Sequence, residues 1–168
     1  LGDITGNVKF FDIKHNRTAD LRPAAEGLGD GVLCIDQPSS HLSTTPRAVT
    51  GSLSGQLRLW DLAGMMETRS QPVHKGPLTS LSFSPKNGRL VASCGVDGRL
   101  CLNDIGLKTA EPSASCSLPG QALTAVSFHQ NAISCAVGTG DGWVHLYDWR
   151  SVRSPVCSVH AHPGCRVA

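Results

Sequence analysis

A surplus of charge of one sign is missing from this chain: 15 lysines and arginines stand against 13 acids, a formal net charge of +2. So even a balance leaves no basic footprint for nucleic acid and no cationic run for an anionic membrane surface. No apolar stretch approaches the roughly 18 residues of a membrane helix. No basic-then-apolar leader opens the chain, so nothing reads as a secretory signal. The first residue is Leu1 rather than Met and the text begins inside a repeat, so the chain is expected to continue upstream. A CxxC pair is also missing. The seven cysteines (Cys34, Cys94, Cys101, Cys116, Cys135, Cys157 and Cys165) are odd in number and lie mostly among Val, Leu, Ala and Ser. They read as free thiols packed as small hydrophobes in a reducing compartment, ahead of a disulfide framework or zinc site. No segment carries a helical period.

Against these absences stands one phrase written four times: Gly6-Asn-Val-Lys-Phe-Phe-Asp12, Gly55-Gln-Leu-Arg-Leu-Trp-Asp61, Gly98-Arg-Leu-Cys-Leu-Asn-Asp104 and Gly142-Trp-Val-His-Leu-Tyr-Asp148. Gly precedes Asp by six residues each time, and successive Asp residues lie 49, 43 and 44 apart. Asp97-Gly98 and Asp141-Gly142 are hairpin dipeptides, because Gly supplies the positive φ of a tight turn. Short apolar runs between turn signals give an all-β chain. Strands are expected near 8–12, 18–22, 31–35, 48–53, 56–62, 78–83, 90–94, 100–104, 123–128, 133–137, 143–147 and 155–159. Ala63–Pro72 reads as a polar link, and Pro38–Pro46 as a long connection. Leu78–Phe83 and Leu123–Phe128 agree at four of six positions.

Repeats of about 40–45 residues ending in Trp-Asp are the signature of WD40 propeller blades, and the chain resembles that family over nearly its whole length. The resemblance implies a partial β-propeller: residues 1–30 end one blade and its linker, 31–72, 73–118 and 119–160 are blades, and 161–168 begin another. The expectation is a fragment of a larger, seven-bladed ring, with about three full blades and partial ones at each end. His74, Ser93 and Asp97 fit the family's strand-linking hydrogen-bond set, whose fourth member is a Trp; Asn103 stands in that place. In the preceding repeat Trp60-Asp61 is intact but Ser54 replaces the turn Asp. Asp104, Asp141, Tyr147 and Asp148 take structural positions in the later repeats, and His162 falls before the next first strand. No nucleophile elbow accompanies the Ser, His and Asp, so the reading is structural rather than hydrolytic, and no enzyme is expected. His160 and His162 lack further ligands at a metal-binding spacing. Gly138-x-Gly140-x-Gly142 leads into a strand, where a phosphate cradle needs a helix. No cofactor or metal is expected.

Val73–Pro77, Phe83-Ser84-Pro85, Leu123–Val126, Tyr147–Arg150 and Ser154–Val156, with Gly51–Gly55, resemble the later blades of the WD40 family that targets the γ-tubulin ring complex to centrosomes and spindles. That resemblance spans about residues 48–168. It implies a protein-binding adaptor in microtubule nucleation, with γ-tubulin ring or centrosomal partners. The implied location is cytoplasmic, at the cytoskeleton, microtubule-organising centre or spindle. In that family a separate C-terminal helical region binds the ring. An alternative is a substrate receptor of a cullin ubiquitin ligase, in which Arg150, after Tyr147-Asp148-Trp149, contacts the adaptor; against it, Arg150 pairs with an acidic neighbour on the rim. Loops Gly29–Asp30, Gly76–Pro77 and Gln121–Ala122 are candidates for one binding face by the same analogy.

Overall fold

The computed structural model describes residues 1–13, 15–23, 29–42, 45–109 and 111–168. Strands β1 (Val8–Asp12) and β2 (Arg17–Leu21) form a two-stranded sheet. Three four-stranded sheets follow. The second is β3 (Val32–Asp36), β4 (Arg47–Ser52), β5 (Gln56–Asp61) and β6 (Met66–Pro72). The third is β7 (Leu78–Ser84), β8 (Asn87–Gly95), β9 (Arg99–Asp104) and β10 (Ala114–Ser117). The fourth is β11 (Leu123–Phe128), β12 (Ser134–Thr139), β13 (Trp143–Asp148) and β14 (Cys157–His160). Within each sheet the strands run in chain order and pair antiparallel. A 3₁₀ turn covers Ser40–Leu42. No helix among the described residues is long and apolar enough to cross a membrane.

The sheets stack face to face, so each middle sheet buries both faces. Successive residues of a strand point to opposite faces, and here they reach opposite neighbours. Ala48 of β4 joins Val8, Leu21, Trp60 and Leu62 between the first two sheets. Its neighbour Val49 joins Leu57, Leu78, Phe83 and Val91 between the second and third. On β8, Val91 faces back into that cluster, while Ala92 joins Leu100, Leu123, Val137 and Tyr147 against the fourth sheet. This is why the strands read as mixed apolar runs rather than strict alternation. Among the described residues no core cluster joins the first sheet to the fourth, and the sheets form an open arc, a partial β-propeller.

Inner strands are stitched by a repeating bond. Cys34 Sγ donates to Leu78 O at 3.4 Å, Thr79 Oγ1 to Leu123 O at 2.8 Å, and Thr124 Oγ1 to Val167 O. Two of the acceptors, Leu78 and Val167, belong to residues seated on glycines of the preceding sheet, while Cys94 takes the matching place beneath Leu123. A Cβ on Gly51 would lie 2.4 Å from Leu78, and one on Gly138 would lie 2.5 Å from Val167. Only a bare backbone admits so close an approach.

Two outer strands depart from the sequence expectation. Met66–Pro72, expected as a polar link, is β6, and the run near 114–117 is β10. As outer strands they turn one side to solvent. Glu67 and Gln71 face inward and are buried, while Met66, Thr68 and Ser70 are exposed. The expected strand at 155–159 begins at Cys157. Residues 24–28 of the loop expected before the second sheet, and 43–44 of the long connection, lie outside the described residues.

Candidate interaction face

At one end of each sheet, the loop entering the first strand meets the turn between the second and third. In the third sheet His74 Nδ1 lies 2.9 Å from Asp97 Oδ1 and His74 Nε2 lies 2.9 Å from Ser93 Oγ. Asn103 Nδ2 donates to the same hydroxyl at 2.9 Å. One proton arrangement satisfies the set: Asn103 donates to Ser93, Ser93 to His74 Nε2, and His74 Nδ1–H to Asp97. Burial pushes the imidazole below its ordinary pKa, more than Asp97 raises it, so the ring is neutral. Burial alone would raise Asp97, but the Lys75 N–H, His74 and the Arg99 N–H together hold it below the usual carboxylate value. Ser93 is fully buried and held between two partners, so its hydroxyl faces no solvent. Asn103 keeps the donor a Trp would supply, while its Oδ1 has no hydrogen-bond partner among the described residues.

The second sheet reaches the same end by another chemistry. Ser54 stands at the turn, and the carboxylate comes from the entry loop instead. Asp30 accepts from Ser54 N and Ser54 Oγ at 2.8 Å each and from Arg58 Nη2 at 2.9 Å. Ser52, Ser54 and Arg58 outweigh the burial that would raise Asp30 and hold its pKa down. Trp60 Nε1 donates to Thr50 Oγ1 at 2.9 Å, both buried. The sequence reading placed Asp30 in a candidate loop without assigning it this role. The signal was its separation of 24 residues from Ser54, beside 23 for His74 and Asp97. In the fourth sheet Gln121 Nε2 approaches Asp141 Oδ2 at 3.4 Å, and Thr139 Oγ1 donates to the other carboxylate oxygen. His162 lies apart from this set. Its backbone N donates to Gly142 O at 3.1 Å, as His74 N does to Gly55 O at 3.2 Å.

At the opposite end the four repeated Asp residues cap the turns that follow the third strands. Asp61 accepts from Ala63 N at 3.0 Å, Asp104 from Gly106 N at 2.8 Å and Asp148 from Arg150 N at 2.8 Å. Asp12 takes His15 N at 3.3 Å. An Asp at a strand end thus makes an Asx turn. Arg150 also places Nε 3.0 Å from Asp148, and its hydrogen bonds hold that carboxyl down at about 2. Tyr147 is buried beside Cys116. His160 stacks on Trp143 at 4.7 Å, away from any ligand cluster, and no group of three metal-binding side chains gathers among the described residues.

Residues 66–104 match the family model described as WD domain, G-beta repeat. The chain's fold matches a chain of the crystal structure of the mitotic checkpoint complex with a TM-score of 0.80 at 16% identity, over 95% of this chain and 45% of that one. The chain is a WD40-repeat protein. Among curated WD40 relatives, human Protein NEDD1 is 31% identical over 166 residues, covering 96% of this chain and 23% of the relative. The mouse NEDD1 protein is 32% identical over 131 residues, covering 75% and 19%. WD repeat-containing protein SL1-17 of Schistosoma mansoni is 28% identical, covering 82% and 44%. The chain spans about a fifth to a quarter of the length of the NEDD1 relatives.

In WD40 terms, consecutive blades close the same link three ways: Asp30 with Ser54, His74 with Asp97, and Gln121 with Asp141. The link brings the three candidate loops beside the turns of their blades. Around them Ile4, Leu53 and Val96, each two residues before a turn glycine, are exposed by 84%, 50% and 49%. Aliphatic tips at matched turn positions lie on that face above a buried polar frame.

Proposed function

We propose that this chain is part of a non-enzymatic protein-interaction scaffold that serves γ-tubulin recruitment, microtubule nucleation and spindle organisation. The observation that carries it is the 31% identity to human NEDD1 over 96% of the chain, in line with the γ-tubulin-targeting resemblance of residues 48–168. The fold supports the scaffold part. Rigid stacked sheets hold loops at their ends, and loops carry recognition. His74, Ser93 and Asp97 serve the frame: they are hydrogen-bonded to one another within the blade, His74 and Ser93 buried and Asp97 half-buried. The partners are other proteins, and the place of action is the microtubule-organising centre or spindle.

Arg150 does not favour the ubiquitin-ligase reading over this one, because its guanidinium is bound to Asp148. The test is depletion of the whole protein from dividing cells, with γ-tubulin imaged at the spindle poles. Weakened foci, restored by the wild-type gene, are expected; foci of full intensity would remove the recruitment role and leave the scaffold.

A further inference from the structure

The sequence holds three hydroxyl–proline dipeptides, Thr45-Pro46, Ser84-Pro85 and Ser154-Pro155. All three lie at the strand ends marked by Asp61, Asp104 and Asp148. In the linear sequence nothing ranks them, and the fold does. Ser84 ends β7, is 2% exposed, and its Oγ takes Lys86 N. Thr45 and Ser154 are exposed. We propose that this rim is modified by phosphoryl transfer from a nucleoside triphosphate, catalysed by a proline-directed protein kinase, at Thr45 and Ser154 and not at Ser84.

At Thr45 a cation is already in place for the product. Arg47 Nε already donates to Thr45 Oγ1 at 2.9 Å. Thr45 borders a groove of about 350 Å³ between the second and third sheets, shared with Arg47, Asp61, Thr68 and Gly106, so a phosphoryl group has room there, with the Arg47 guanidinium to set against the Asp61 carboxylate. Arg153 lies one residue before Ser154, while Arg150, four residues before, is held by Asp148. In the transfer the hydroxyl oxygen attacks the γ-phosphorus, the bond to the nucleoside diphosphate breaks, and the hydroxyl proton passes to the kinase's base. Nothing is oxidised or reduced. Each phosphomonoester adds about −1.5 to −2 charges and makes charge-assisted bonds to arginine. Two of them would turn the formal net charge of +2 to about −1 to −2. This inference rests on the fold and is independent of the proposed partners.

The test incubates the folded protein with a proline-directed kinase and ATP, maps phosphosites by tandem mass spectrometry, and runs synthetic peptides spanning each dipeptide alongside. Peptides are expected to be labelled at all three sites. In the folded protein Thr45 and Ser154 should be labelled at least about tenfold faster than Ser84, which must first open locally. A second readout is the phosphothreonine titration followed by phosphorus NMR. Its second ionisation should move to higher pH in Arg47→Ala, because the paired cation is gone. Equal labelling of Ser84 in the folded protein overturns the proposal. So does failure of both Thr45 and Ser154 to take label, whatever the peptides do.

Discussion

At Asn103 the amide takes the place of an indole with only half the hydrogen bonds satisfied. Nδ2 reaches Ser93, but the buried Oδ1 finds nothing. The network therefore depends on Ser93 as its junction. Ser93→Ala would leave His74 Nε2 unpaired inside the protein and Asn103 Nδ2 with only its long bond to Val91 O at 3.4 Å, and an unpaired buried group costs about 1–3 kcal/mol. The expected result in denaturant titration is a loss of that order, larger than for Thr68→Ala on the exposed side of β6. The same site predicts a pH dependence. His74 and His145 both have pKa values held below the ordinary histidine value, chiefly by burial. The unfolded chain then binds more protons than the folded one below the ordinary histidine value of 6.5, so stability falls as pH drops through that value. Asp97, held low, adds a further loss only in more acid solution. His74→Gln should flatten the upper part of that fall in thermal melts, while lowering stability at pH 7. Cysteine chemistry follows burial as well. Cys34, Cys101 and Cys135 are pushed up to about 12, mainly by burial, whereas Cys157 and Cys165 are exposed. Alkylation of the native protein should label Cys157 and Cys165 within minutes and spare those three until denaturant is added, as peptide mapping would read directly.

Strands and turns differ in how plainly the sequence announced them. β4, β5, β8, β9, β12 and β13 were legible because they flank the repeated Gly-to-Asp phrase, whose glycine makes the turn and whose Asp caps the strand end. β6 and β10 were not, because an outer strand buries only one side and its polar alternation resembles a linker. The strand-linking residues were legible where the pattern holds, at His74, Ser93 and Asp97. They were hidden at Asp30, because the carboxylate had moved from the turn to the entry loop and no short motif records that exchange. Gly142 gives a test at this scale. Its φ is +92° and a Cβ there would lie 1.9 Å from His162 O, where both Ala161 N and His162 N converge on Gly142 O. Gly142→Ala should therefore destabilise by about 1–3 kcal/mol through combined strain and displacement. Gly164→Ala, at φ +76° with no atom within 4 Å, should cost only the backbone term of about 1 kcal/mol. Equal losses in the two variants would contradict this account of the turn.

For the molecule as a whole, the stacked sheets are a frame whose energy lies between blades and whose recognition surfaces lie at their ends. Leu78 and Leu123 are fully buried between sheets, and burying such a side chain is worth about 1.5–3 kcal/mol. Leu146 and Val159 of the fourth sheet, and Val156 just before β14, remain 38%, 54% and 68% exposed. The central claim is that this frame belongs to a scaffold for γ-tubulin recruitment. The most direct measurement is purification of the whole protein from dividing cells under native conditions, with mass spectrometry of what accompanies it. The account predicts γ-tubulin and its ring partners, enriched over a purification of an unrelated WD40 protein. A cullin and its adaptor without γ-tubulin would contradict it and make Arg150 the residue to mutate first.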